Sequence, residues 1–398
     1  MIKKEYKFSL NRIIFFTTLI CFIIKQISVY SVLPEVVSKY GLINKGMELL
    51  ILGLFFWYIC ISKYSIRRIV VILIILLTSL ISLSSKNKDI FFIGLLLYMS
   101  VNVKSKDIIK ISMVTLGFTV LSIVSLSFMN IIPNYVYDNI LANGNIAKAN
   151  SLGFDYYSYV PIYTLFFTCM YLYIRGKKCS YIEICILILL AIVVNSFCHK
   201  ELAFGLNIFT VILYIILSKF NIFKFRSYIW KLVSKVIIPS CFIIIVFCSY
   251  NYDKFLALDN ILGGRLYYGY TTFNNYSLTL FGQNIEMIGT STFTKNPNLE
   301  YFYIDSGYLQ TLFLRGIILT AIIVIGYSII SYKSIKDKEI ELFIWVIITA
   351  GYNILGSTLI DIWYNPIFFI GFKYIANWRG TFNILGTRYR VVYKKVIE

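Results

Sequence analysis

Along the chain, long apolar runs alternate with short polar stretches that carry most of the charge. Such runs lie near residues 13–31, 47–62, 69–84, 90–103, 111–130, 156–174, 182–198, 202–218, 236–250, 306–330, 342–360 and 362–375. About 20 apolar residues in a helix cover the hydrocarbon core of a bilayer. The shorter runs can reach that span when flanking Lys and Arg side chains snorkel to the interface. The pattern predicts an all-α polytopic membrane protein with about 12 transmembrane helices, one integral domain over residues 1–398.

The connections between runs are unequal. Most are short, but one covers 131–155 and a much larger one covers 251–305, between the ninth and tenth runs. Long connections in compact domains are usually functional. Within the larger one, Leu256, Ile261, Leu262, Leu266, Tyr270 and Phe273 are spaced as a helical face. Gly263-Gly264 would re-aim the backbone just before Arg265, while Asn274-Asn275 and Gly282 read as helix ends. This predicts short amphipathic helices forming a lid or a cavity wall over one mouth of the bundle. Residues 219–235 alternate basic and aromatic side chains and predict an interfacial helix. No repeat of fixed period is visible.

Composition sharpens this picture. Hydrophobic residues make up 59% of the chain and charged residues 14%, with a mean hydropathy of +0.76. A soluble domain needs about 25% charged residues, and a disordered chain is poor in apolar ones. The net charge of +19 invites a nucleic-acid reading, but its distribution argues against one. With the N-terminus inside and the connections alternating, inside segments hold 27 of the 38 Lys and Arg residues, but only 7 of the 19 Asp and Glu. That asymmetry is the positive-inside bias. It predicts two cytoplasmic termini and an external 251–305 segment. Most of the eight Cys fall inside apolar runs and none forms a CxxC pair, so they read as small buried residues rather than disulfide partners or metal ligands. The first run lacks a small-residue cleavage site, which predicts a retained helix rather than a signal peptide.

Soluble-enzyme motifs are missing: there is no GxxxxGK loop, GxSxG elbow or HExxH helix. The one histidine, His199, excludes a site built on several His. Polar chemistry gathers instead at the predicted external connections. Arg265 is the sole Arg of the large connection, flanked by Gly264 and Tyr267-Tyr268, and is either a phosphate grip or a lipid-headgroup anchor. Asp305, where that connection enters the tenth run, is either a helix cap or a surface carboxylate acting as base. Tyr308 falls one turn later on the same face. Arg315 lies ten residues past Asp305, roughly 15 Å along a helix, where it needs a partner or a polar cavity. His199 and Lys200 occupy the turn after the seventh run, either solvated or holding a pyrophosphate. Asp155 and Tyr156, before the sixth run, suit either sugar contacts or an aromatic belt.

Three stretches then carry a resemblance. They are NSLGFDYYSYVPIYTLFF followed by RGKK; Gly264-Arg265-Leu266 leading to Leu280-Phe281-Gly282; and Asp305-Ser306-Gly307-Tyr308-Leu309 leading to Leu314-Arg315-Gly316-Ile317. Across roughly 150–320 their order and spacing resemble the Wzy-type polysaccharide polymerases, relatives of the O-antigen ligases. One departure is clear: the Thr-Arg or Ser-Arg pair frequent after the seventh span is replaced by His199-Lys200-Glu201, and the large connection has no His to act as base.

The resemblance implies a metal-independent, inverting glycosyltransferase with no cofactor, in the bacterial plasma membrane. It would join undecaprenyl-diphosphate-linked oligosaccharides into a capsule, exopolysaccharide or O-antigen chain. Donor and acceptor would both be lipid-linked, with the phospholipid membrane, a flippase and a chain-length regulator as partners and no nucleic acid. Arg265 and Asp305 would be catalytic, and Arg315, Tyr308, His199, Lys200, Asp155, Tyr156 and Gly282 would bind substrate. Two rivals stand beside this reading: a lipid-linked oligosaccharide flippase, and a membrane acyltransferase dependent on His199.

Overall fold

The computed structural model describes residues 10–62, 67–140, 144–220, 228–290, 298–376, 381–384 and 387–390. A helix coincides with each of the twelve apolar runs: Leu10–Val29, Tyr40–Ile61, Arg67–Ser84, Asp89–Ser100, Ser105–Phe128, Tyr159–Arg175, Tyr181–Cys198, Glu201–Tyr214, Tyr228–Tyr250, Gly307–Lys336, Ile340–Leu355 and Phe368–Ala376. The eighth of these continues as a π turn over Ile215–Lys219. By length and composition, seven helices among the described residues can cross a membrane. Asp89–Ser100, with 12 residues, and Phe368–Ala376, with 9, are far shorter than a bilayer-spanning helix. Hence the protein is an all-α, membrane-embedded bundle.

The helices wrap one continuous apolar core. Phe15, Phe22, Phe166, Phe313, Phe343 and Trp345 are almost wholly buried in it. Large apolar side chains such as Leu49, Phe118, Leu121 and Ile182 point outward instead, as expected where the surroundings are lipid rather than water.

The polar connections collect at two ends. At one end Arg175 pairs with Glu183 at 2.7 Å and Ser218 Oγ donates to Glu341 Oε1 at 2.6 Å. At the other, the turn after Val29 is stitched to residues 151–155: Val32 N–H donates to Gly153 O, and Asp155 N–H to Tyr30 O. Within 131–155 the chain forms an antiparallel hairpin, Val136–Ile140 against Ile146–Asn150, which the all-helical expectation did not contain. Its strands alternate buried Tyr137 and Ala149 with exposed neighbours, the period-two pattern of a half-buried sheet. The Asn139 and Asn150 amides tie it to the carbonyls of His199 and Phe197. A second small hairpin pairs Thr381–Ile384 with Thr387–Arg390.

The large connection is helical where expected, with helices at Leu256–Leu262 and Arg265–Asn275. Gly263 (φ +68°) closes the first and Gly264 (φ +80°) opens the second; both are left-handed conformations that glycine adopts without Cβ strain. Asp259 Oδ1 then accepts Leu266 N–H at 2.7 Å and caps the second helix from seven residues upstream. Gly269 brings that helix against the bundle: a Cβ there would fall 2.5 Å from Ser249 Oγ and 2.8 Å from Leu309 Cδ1. Of the interfacial helix expected over 219–235, residues 221–227 lie outside the described residues, and the part from Tyr228 onward belongs to Tyr228–Tyr250.

The tenth helix, Gly307–Lys336, is interrupted at Gly316 (φ +85°, ψ 168°). The interruption frees two N–H groups, and the large connection satisfies them: Ile317 N–H donates to Thr279 O at 3.0 Å and Ile318 N–H to Leu280 O at 3.3 Å. Gly282 (φ +85°) lies against the break, and its carbonyl accepts Ser84 Oγ at 2.5 Å.

Candidate functional site

Arg265 opens its helix and is held by Nη1 donating to Leu262 O at 2.5 Å. Its Nε lies 4.0 Å from Asp305 Oδ2 and has no hydrogen-bond partner. Asp305 does not cap the helix that follows it. Ser306 occupies the cap position without a side-chain cap bond and donates its hydroxyl to Asn353 O, while Gly307 N–H donates to Gly356 O. The Asp305 carboxylate is thereby left to the Arg265 pair. Burial raises its pKa above the ordinary range, opposed by Arg265 and then by Lys200.

Lys200 completes the group. It sits in the turn between Tyr181–Cys198 and Glu201–Tyr214, with Nζ 5.5 Å from the Tyr157 ring centre. Burial pulls its pKa down to about 8; Arg265 pushes the same way and Asp305 opposes. Two cations and one carboxylate thus share a space walled by tyrosines. Tyr268 and Tyr301 meet edge-on at 5.2 Å, and Tyr156 packs on Tyr157 at 4.4 Å. The charge of Asp305 acts on Tyr268, Tyr301 and Tyr303. Chemically, the group offers guanidinium and ammonium donors to an anion, beside a carboxylate able to accept a hydroxyl proton.

Of the residues singled out from the sequence, Arg265, Asp305, Lys200 and Tyr156 are brought together here. Asp155 is adjacent in the chain, its backbone carbonyl accepting the Tyr137 hydroxyl at 2.6 Å. His199 is the left-handed cap (φ +48°) of Tyr181–Cys198, and its carbonyl accepts Asn139. Tyr308, expected on the face of Asp305, is instead fully buried: its hydroxyl donates to Ala350 O at 3.2 Å and its ring packs on Phe242. Asp305 lies before the helix, with Ser306 extended (φ −67°, ψ 123°) between them, so the shared face of positions three apart in a helix does not apply. Gly282 serves backbone packing, since a Cβ would fall 2.2 Å from Leu314 O.

Arg315 lies apart from Arg265, at the break in its helix. Nη1 donates to Ser85 Oγ at 3.2 Å, and the charges that reach it are those of Asp361 and Asp89. Asp89 in turn accepts Gln26 Nε2 at 2.5 Å and pairs with Lys25 at 3.2 Å; Lys25 also pairs with Glu48 at 3.4 Å. Sequence reasoning noted Lys25 but missed Asp89 and Asp361. The signal for Asp361 was present: it is the single acidic residue interrupting the last two apolar runs, where an ionisable group is costly.

Comparison with protein-family models, curated proteins and solved structures finds no match to this chain.

Proposed function

We propose that the chain is a membrane glycosyltransferase that polymerises undecaprenyl-diphosphate-linked oligosaccharide units on the outer face of the bacterial plasma membrane, feeding a capsule, exopolysaccharide or O-antigen. In this reading about 12 spans place both termini in the cytoplasm and the 251–305 connection outside. The supporting observation is the Arg265–Asp305 pair, in which the guanidinium keeps an unpartnered Nε beside a carboxylate and Lys200 adds charge. A diphosphate leaving group needs cations as the bond to the anomeric carbon breaks; Arg265 and Lys200 supply them. An acceptor hydroxyl must lose its proton as it attacks, and Asp305 accepts it. Attack opposite the leaving group inverts the anomeric carbon. Fixed cations do the work of a metal here, so activity should survive a chelator; loss restored by Mg²⁺ would overturn that part. Donor and acceptor are both lipid-linked, and a flippase and a chain-length regulator act beside the enzyme.

The test is a deletion strain. Collapse of the polymer ladder to single exported units supports the polymerase; loss of all external units indicates a flippase. The flippase has its own support in the charges inside the bundle, namely Lys25, Glu48, Asp89 and Arg315, and in the broken tenth helix.

A further inference from the structure

Between the helices Ile340–Leu355 and Phe368–Ala376 the backbone is irregular, yet it is closely tied down. Asn353 Nδ2 donates to Thr358 Oγ1 at 2.8 Å, and Thr358 N–H returns to Asn353 Oδ1 at 2.7 Å. Trp345 Nε1 donates to Asn365 Oδ1 at 3.1 Å, Asn365 Nδ2 to Thr358 O at 3.2 Å, and the Tyr327 hydroxyl to Leu359 O at 2.9 Å. Side chains from two helices and from the segment itself thus fix a stretch that regular hydrogen bonding would not. Non-helical backbone within such a bundle is tolerated where it is buried in protein or lines a water-filled cavity. The residue it presents is Asp361.

Asp361 is half-buried, and among the described residues its carboxylate accepts one hydrogen bond, from the Tyr364 hydroxyl to Oδ2 at 2.5 Å. Among the described residues no ion pair holds it, although the charge of Arg315 reaches it. Around it stand aromatic residues, Tyr30 and Tyr159 half-buried and Trp363 buried. Tyr30 stacks on Trp363 with ring centres 5.9 Å apart and planes at 16°, and lies 5.2 Å from Tyr159. The charge of Asp361 acts on Tyr30. It also reaches both Tyr303, which feels Asp305 as well, and Arg315.

We propose that Asp361 and Tyr30 form a saccharide-binding subsite that holds a neutral, hydroxyl-rich pyranose of the lipid-linked substrate. The proposal rests on the polymerase reading and deepens it. An unpaired carboxylate takes hydrogen bonds from sugar hydroxyls, and an aromatic face meets the C–H face of the ring. Asp361 orients the sugar and takes no part in bond making.

The test uses the full chain in lipid nanodiscs and two probes: undecaprenyl diphosphate without sugar, and the lipid-linked single unit isolated from the deletion strain. Equilibrium binding is followed by tryptophan fluorescence. Asp361→Asn should weaken the sugar-bearing probe by about tenfold or more, the loss of one charge-assisted hydrogen bond, and leave the sugar-free probe within about twofold. Tyr30→Leu should do the same while Tyr30→Phe binds normally, which separates a lost stacking face from a misfolded chain. Equal loss of both probes in Asp361→Asn, or no loss of either, overturns the subsite and leaves the polymerase standing. If neither probe binds the unsubstituted chain, the polymerase reading falls and takes the subsite with it.

Discussion

Arg265 Nε lies 4.0 Å from Asp305 Oδ2, within ion-pair reach but too far for a hydrogen bond, and takes no other partner. The two residues come from the start of one helix and the approach to another, forty positions apart. Helix Arg265–Asn275 reaches that position because Gly269 lets it press onto the bundle. A pair held just open, with a desolvated donor, suits an anion that enters between the guanidinium and Lys200. Arg265→Ala should reduce polymerisation by about a hundredfold or more at normal protein level. Arg265→Lys should recover little of it, because an ammonium lacks the paired N–H geometry. Polymer-length profiles beside immunoblots of the membrane fraction provide the measurement. Long chains from Arg265→Lys would remove the case for a bidentate grip.

The same group sets a pH dependence. Lys200, with its pKa lowered to about 8, keeps its charge below that pH and loses it above, which weakens the hold on an anion. Asp305, with its pKa raised, is a competent base only above its shifted value and is protonated as pH falls through it. Initial rates of a purified preparation should therefore trace a bell with its alkaline limb near pH 8. Lys200→Arg should push that limb beyond the accessible range, since a guanidinium stays charged. An alkaline limb unmoved in Lys200→Arg would assign it to another group.

The break in the tenth helix gives a structural prediction. A Cβ on Gly282 would fall 2.2 Å from Leu314 O, and one on Gly316 2.4 Å from Gly282 N, each from a left-handed φ. These obstacles are backbone atoms and cannot rotate away. Gly316→Ala and Gly282→Ala should each destabilise the protein by about 3 kcal/mol. Gly264→Ala, also left-handed but with nothing within 4 Å, should cost about 1 kcal/mol. Thermal unfolding in one detergent ranks the three, and equal losses would mean that the contact across the break contributes nothing.

Tyr308 separates a core residue from a ligand contact. Its hydroxyl donates to Ala350 O inside the bundle. Tyr308→Phe should lower stability by about 1 kcal/mol and leave polymer length unchanged. A normal melting temperature with shortened chains would return Tyr308 to the substrate site.

The helices were legible because the bilayer imposes a simple code: an apolar run between charges becomes a helix. The helix pair Leu256–Leu262 and Arg265–Asn275 was legible because Gly263-Gly264 marks their junction. The hairpin Val136–Ile140/Ile146–Asn150 was missed by a scan for apolar runs, although Asn143-Gly144 between alternating residues is a strong hairpin signal. Arg265, Asp305 and Lys200 stood out as charges at helix ends. Their meeting was expected from the resemblance alone, because residue spacing does not say how distant helices pack. Asp89 was overlooked because it looks like an ordinary turn carboxylate until three-dimensional packing places it near Arg315, whereas Asp361 was legible as the single acidic residue between the last two apolar runs.

Lys25 provides the last prediction, and it bears on the transporter rival. Its ammonium is 5% exposed and lies between Glu48 at 3.4 Å and Asp89 at 3.2 Å, contributed by two other helices. Gln26 also donates to Asp89, so Asp89 keeps a partner if Lys25 is removed, whereas among the described residues Glu48 keeps the exposed Lys88 at 3.7 Å. Lys25→Met would leave two carboxylates poorly compensated inside the bundle, at a cost of about 3 kcal/mol or more. Adding Glu48→Gln to Lys25→Met should recover a good part of that loss, because the uncompensated charge goes with it. If the network is purely structural, the double variant regains both stability and polymer length. If it carries a transported ion or proton, stability returns while export of single units does not. Melting temperature and external unit count, measured on the same membranes, separate the two.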